Sequence, residues 1–261
     1  AAAGQRELVE LPLEKRRVLI EAIRAAVLSA NESLSSDAVA ETGLGNVRDK
    51  QAKNCLAATK TPGVEDVESA AYTDEHGLTL VERAPWGVIG AITPVTNPIA
   101  TITSNAIGMI AAGNSVVFNV HPGAKRISTR LVGMLSEAIE AAGGPRNILC
   151  AVAEPTIQSA GELMKHRGVA LLVVTGGPAV VRAAMASGKK AICAGPGNPP
   201  CVVDETADIG KAGRDIVAGS SFDHNVVCIC EKEVLAVSSI ADRLKDEMRK
   251  SGAFELTGAQ I

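Results

Sequence analysis

Aromatic side chains are nearly absent from this sequence: three Phe, one Tyr and one Trp occur in 261 residues. Base-stacking platforms need several rings on one surface, so they are excluded on that ground. A basic block is also lacking. Lys and Arg number 26 against 29 Asp and Glu, and a net charge near −3 leaves no electrostatic footprint for nucleic acid. The six cysteines form no C-x-x-C pair and follow no signal peptide, which points to unpaired thiols in a reducing, cytoplasmic setting. His224, Cys228 and Cys230 would hold a metal only with a fourth ligand that the sequence does not offer, so no metal is expected.

Charge is missing from one long stretch. Between Ala84 and Ala124 there is no Asp, Glu, Lys or Arg. A run of that length raises the question of a membrane span. Pro94, Asn97, Pro98, Asn105, Gly113 and Asn114 break it into pieces too short or too polar to face lipid. A buried strand–helix–strand unit accounts for it, and no membrane partner is expected. Ala, Val, Ile and Gly dominate the sequence, a composition suited to buried parallel strands under small-residue helices.

What is present is a regular rhythm. Apolar residues at three- and four-residue spacing predict helix over 13–40, interrupted near Asn31, then a stop at Gly43 and Gly45 and a second helix over 47–58. Residues 78–83 alternate like a strand with one wet face, bounded by Gly77 and Pro85. From there strands at 88–92, 115–120, 148–152, 170–175 and 191–194 alternate with helices at 98–112, 124–141, 157–165 and 179–187. Such alternation defines an α/β fold with a doubly wound, mostly parallel sheet. Sheets of this kind bind ligands beyond the carboxyl ends of their strands.

Three strand ends and one later segment carry chemistry. Thr93-Pro94-Val95-Thr96-Asn97-Pro98 leaves an amide at a helix start, where capping the helix with Pro98 at its first position is the simpler reading. Thr175-Gly176-Gly177-Pro178 lets backbone approach a phosphate at a helix N-terminus, or makes a tight strand-to-helix turn. The stretch from Ala194 through Gly195-Pro196-Gly197-Asn198-Pro199-Pro200 is a shaped loop leading into a strand at 201–204. Finally, Phe222-Asp223-His224-Asn225-Val226-Val227-Cys228 sets a cysteine ahead of a strand-like run at 233–237. A thiolate presented to a cleft is a nucleophile, whereas an ordinary free cysteine is a small buried apolar residue. Cys230, two residues on, would share a face with Cys228 on a strand, and ordinary packing accounts for it.

Together, these pieces resemble the aldehyde dehydrogenase superfamily. More narrowly they resemble its CoA-acylating branch, which oxidises acetaldehyde or propionaldehyde in bacterial microcompartments. The resemblance runs through Glu41-Thr42-Gly43-Leu44-Gly45, Ala84-Pro85-Trp86-Gly87-Val88-Ile89-Gly90 and Asn119-Val120-His121-Pro122-Gly123-Ala124-Lys125 to the Gly-rich turns and the segment ending in Cys228. It implies that Cys228 is the nucleophile and that Asn97, with the cysteine N–H, stabilises the oxyanion. It implies NAD (with NADP the less expected choice) at Thr93, Pro94, Asn119, His121, Pro122, Thr175, Gly176, Gly177, Ala194 and Gly195. It further implies coenzyme A and a short-chain aldehyde as substrates, a homo-oligomer, and residence in a microcompartment with possible shell association.

Two departures refine that expectation. Hydrolytic members of the superfamily carry a glutamate base where this sequence has Ala194, so a thioester on Cys228 is expected to be transferred rather than hydrolysed. Their Lys and Glu toward the adenosine ribose correspond to Asn119 and Pro122. The resemblance also divides the chain into N-terminal helices plus a dinucleotide-binding domain over 1–194, and the opening of a second α/β catalytic domain over 195–261, apparently truncated. Other readings are a non-catalytic nucleotide-binding or assembly fragment of the same fold, an acyl-phosphate or semialdehyde reductase, and the N-terminal half of a bifunctional aldehyde–alcohol dehydrogenase.

Overall fold

The computed structural model describes residues 1–260. Four helices come first: α1 (Ala2–Val9), α2 (Leu13–Ser29), α3 (Asn31–Thr42) and α4 (Val47–Lys60). The expected interruption near Asn31 is the junction of α2 and α3. Gly43 ends α3 with φ of 67°, a left-handed stop that glycine takes without cost. Asn46 then caps α4, its side chain accepting from the Asp49 N–H at 2.9 Å.

A hairpin of β1 (Ala70–Asp74) and β2 (Gly77–Val81) follows. The expected strand at 78–83 is there, shifted to 77–81, but without the single wet face its alternation suggested. Leu78, Thr79 and Leu80 are all exposed, because the hairpin stands clear of the main sheet. Its partner β1 was not anticipated.

The central sheet contains β3 (Val88–Ile92), β4 (Ser115–Asn119), β5 (Leu149–Ala151), β6 (Leu171–Thr175) and β7 (Ala191–Ala194), all parallel, in the spatial order β5-β4-β3-β6-β7. The connecting helices are α5 (Pro98–Ala111), α6 (Lys125–Ala141), α7 (Ile157–Lys165) and α8 (Pro178–Met185). Every residue of β3 is buried, as a central strand covered on both faces demands. The charge-free run is thus a buried β3–α5–β4 unit, and no described helix is long and apolar enough to cross a membrane. One core packs α2, α5 and α6 against one face of the sheet; a second, built on Leu163, Met164, Leu172 and Val174, fills the other. The chain runs outward from β3 to β5 and then returns to β3's other side as β6. That reversal makes a crevice between the carboxyl ends of β3 and β6.

Beyond β7 a separate small layer forms. Strands β8 (Pro200–Val203) and β9 (Glu233–Ala236) pair in parallel and share a core of Val203, Ile209, Ile216, Ile240 and Leu244 with α9 (Ile209–Ser221) and α10 (Ala241–Lys250).

Candidate functional site

A cavity of 590 Å³ opens at the β3–β6 crevice. Eight of the ten residues expected at the cofactor line it: Thr93, Pro94, Asn119, His121, Pro122, Thr175, Gly176 and Gly177. Ala194 and Gly195 do not; they lie exposed at the end of β7, one strand further out. Sequence reading missed the apolar walls, Ile157, Ala160 and Met164 of α7 with Val180 and Ala183 of α8. The signal for them was the amphipathic spacing of α7 and α8, whose inward residues face a ligand space as well as a core.

The chemistry of this cavity suits a dinucleotide. No Asp, Glu, Lys or Arg lines it. Thr93 Oγ1 is buried without a hydrogen-bond partner at its wall, a donor and acceptor that a bound polar group would satisfy. At Gly177, before Pro178 opens α8, no side chain caps the helix and open space surrounds the missing Cβ. Backbone amides at such a terminus accommodate phosphate. Asn119 is fixed by Ser159, whose hydroxyl donates to its Oδ1 at 2.6 Å. His121 spends Nδ1 on the Gly123 N–H at 3.0 Å, which leaves the far side of the ring to solvent.

Cys228 lies on a turn ahead of β9, and Cys230 is buried while Cys228 is half-buried. The expectation that Cys228 and Cys230 share a strand face is therefore corrected: residues 226–230 turn rather than extend. The polar run before them is coiled as well. Asp223, His224 and Asn225 hold φ of 48°, 54° and 59°, three successive left-handed residues. Asp, His and Asn are the types that enter this region most readily, yet each still costs free energy. Several bonds offset that cost. Asn225 Nδ2 donates to the Ser220 and Glu231 carbonyls at 2.5 and 3.1 Å, and Lys232 Nζ donates to the Val227 carbonyl at 3.3 Å. Burial raises the Cys230 thiol above its ordinary value, which keeps it protonated and inert. Gly197 backs the site: an added Cβ would fall 2.0 Å from the Cys228 carbonyl oxygen.

The turn's principal anchor is Asp223, 0% exposed. Its Oδ1 accepts from the Asn46 N–H at 2.9 Å, and its Oδ2 accepts from Lys50 Nζ at 3.1 Å and Lys53 Nζ at 2.5 Å. Both lysines come from α4 and are themselves buried, at 2% and 9% exposed. Gly45 makes room for the carboxylate; a Cβ there would lie 1.9 Å from Oδ1. Desolvation lowers the Lys53 pKa, the neighbouring Lys50 adds to this, and the Asp223 bond opposes it. This network was invisible to an apolar-periodicity reading. Its trace is the set Lys50, Lys53 and Asn54, spaced three and four apart on the inward face of α4.

Asn97 stands at the N-cap position of α5 but does not cap it; no side-chain hydrogen bond reaches the helix N–H groups. Instead its Oδ1 accepts from Lys53 Nζ at 2.6 Å. The simpler capping reading is therefore set aside. Among the described residues, no group of three or more His, Cys, Asp or Glu is arranged to hold a metal.

A doubly wound sheet with a cavity at its switch point, and a thiol-bearing turn tied back to that sheet's helical layer, places the chain among the doubly wound α/β proteins. The chain belongs to the aldehyde dehydrogenase family, whose pattern matches residues 1–253. It is 52% identical over 246 residues to the acetaldehyde dehydrogenase (acetylating) EutE of Salmonella typhimurium, covering 94% of this chain and 53% of that protein. It is 46% identical over 252 residues to the propanal dehydrogenase (CoA-propanoylating) of Citrobacter freundii, covering 97% and 55%. Among solved structures it superposes with a TM-score of 0.94 at 48% identity on Rhodopseudomonas palustris propionaldehyde dehydrogenase with bound CoA and an acylated cysteine, covering 99% of this chain and 60% of that one. It matches propionaldehyde dehydrogenase from the Clostridium phytofermentans fucose utilisation bacterial microcompartment with a TM-score of 0.95 at 48% identity, again covering 99% and 60%. The chain thus spans about half the length of the curated relatives it matches.

Proposed function

We propose that this chain carries the cofactor-binding and nucleophile-bearing parts of a CoA-acylating aldehyde dehydrogenase acting on acetaldehyde or propionaldehyde. The observation that carries the reading is the Asn97 carboxamide: it is withheld from its own helix and bound to the lysine that also anchors the Cys228 turn. Residues 1–194 are, in this reading, the cofactor-binding part, and residues from 195 on belong to the catalytic part. In this reading Cys228 thiolate adds to the aldehyde carbonyl, forming the C–S bond as the carbonyl electrons move to oxygen. The Asn97 amide and the Cys228 N–H stabilise that oxyanion. Thr93, Pro94, Asn119, His121, Pro122, Thr175, Gly176 and Gly177 would hold NAD, which when bound would supply the hydride acceptor; Ala194 and Gly195, one strand further out, stand off that cavity. Collapse of the oxyanion would expel the hydride to that acceptor and leave the acyl group as a thioester on Cys228. The thiolate of coenzyme A then displaces Cys228, giving acyl-CoA and regenerating the enzyme thiolate.

Transfer to CoA rather than water follows from Ala194. A methyl group there provides no base for water, and general-base help is typically worth about 10²–10⁴ in rate. Ala194→Glu is expected to yield NADH and free acid from propionaldehyde without CoA, at a rate well above the unsubstituted protein. No rise in acid production would mean that Ala194 is not where water is activated. The assay itself, NADH formation with and without CoA, tests the functional reading: a product that is free acid in both cases would overturn it.

Self-association and microcompartment residence belong to the same proposal. The β1–β2 hairpin carries exposed Tyr72, Leu78 and Leu80, an apolar surface suited to a second copy, and one of the relatives above comes from a microcompartment. Sedimentation of the purified protein, and of cell extracts alongside compartment shells, checks both; a monomer absent from the shell fraction would overturn both.

A further inference from the structure

We propose that Lys53 is a positioning residue for the oxyanion site: its ammonium captures the carboxamide oxygen of Asn97 and thereby commits the NH₂ end to the reacting carbonyl. The inference rests on the role given to Asn97 above and adds to it the element that orients it. A carboxamide can be turned by 180° with little change in shape, exchanging an acceptor for two donors. In the wrong orientation Asn97 would present an oxygen lone pair to a developing negative charge. A lysine removes that ambiguity. Its ammonium has three donors and no acceptor, so the atom 2.6 Å from Lys53 Nζ must be the oxygen.

The rest of the geometry agrees. One N–H of Asn97 Nδ2 reaches Thr96 Oγ1 at 3.1 Å, and the second is left for a ligand on the half-buried side of the residue. Lys53 cannot swing away, because Asp223 holds it at 2.5 Å and is held in turn by Lys50 and the Asn46 N–H. A charge-assisted bond to the amide oxygen also polarises the carboxamide, which strengthens its N–H as a donor. Burying two ammonium groups to serve one carboxylate is costly, and one carboxylate with one lysine would anchor the turn. The second lysine is accounted for by the bond it makes beyond Asp223, to Asn97. Ordinary helix stabilisation does not account for it, since Lys53 makes no bond to its own helix's termini.

The test is a double-mutant cycle in the longest natural polypeptide that carries this sequence, following acyl-CoA formation and the first-turnover burst of NADH. Asn97→Ala should lower kcat by about 10²–10³, the usual cost of one oxyanion donor. Lys53→Met should lower kcat by about 10- to 100-fold with the aldehyde KM within about threefold, and Lys53→Gln, similar in volume but able to donate, should recover part of the loss. If Lys53 acts through Asn97, adding Lys53→Met to Asn97→Ala should cost no more than about threefold further. Losses that multiply, or a change confined to KM, would overturn the positioning role. The Lys53→Gln pair carries the same cycle if Lys53→Met does not fold. Unsubstituted protein that makes no acyl-CoA would overturn the functional reading and this inference with it, a result separable from multiplicative losses in an active enzyme.

Discussion

Asp223→Ala is expected to lower stability by about 3–5 kcal/mol, the range seen when one partner of a buried ion pair is removed and the other is left behind. Here two partners are left behind. Lys50 and Lys53, at 2% and 9% exposed, would keep their charges in the interior with no carboxylate between them. The substitution also frees the Asn46 N–H and asks alanine to hold a φ of 48°, where aspartate is better tolerated. For a chain of this size a fall in Tm of about 10 °C follows, measurable by calorimetry or circular dichroism. Adding Lys50→Met and Lys53→Met to Asp223→Ala should recover part of the loss, because the uncompensated charges go with the side chains. A loss below about 1 kcal/mol would show that water reaches this network and that the anchor is weak.

The second large effect concerns chemistry alone. Cys228→Ala should reduce acyl-CoA formation by about 10⁴-fold or more, since without the sulfur no thioester forms and what remains is binding and oxyanion stabilisation. Cys230→Ala, two positions away, should leave turnover within a few-fold. The contrast is set by environment: Cys230 is buried with its thiol pKa raised by desolvation, whereas Cys228 is half-buried on a braced turn. Mass spectrometry of protein treated with propionaldehyde and NAD but no CoA should find the acyl group on Cys228. Acylation at any other cysteine would overturn the assignment.

Much of this was legible from residues because buried parallel strands announce themselves. β3, β4, β6 and β7 are short apolar runs closed by Pro, Gly or Asn, and α7 and β7 occupy the expected positions, Ile157–Lys165 and Ala191–Ala194. The cavity residues came from the family resemblance, and the motifs that carry it fall at the strand ends where a switch-point crevice lies. β1 was not legible: its Tyr72 and Thr73 are wet on both faces, so burial imprinted no period on it. Nor was the turn before Cys228. The left-handed backbone at Asp223, His224 and Asn225 depends on contacts from α4, far away in the chain. Lys50 and Lys53 were hidden by convention: charge on a helix is ordinarily its solvent face, and only the distant carboxylate reverses that.

That distance bears on the order of assembly. Lys53 and Asp223 are 170 residues apart, whereas β3 and β4 pair across a single intervening helix, α5. At about 5–20 residues per second, α4 waits on the order of ten to thirty seconds for its counter-charge to be synthesised. Until then two ammonium groups on its inward face lack their carboxylate, and burying them charged is costly. The turn that bears Cys228 is therefore anchored late in biogenesis, by a long-range loop closure.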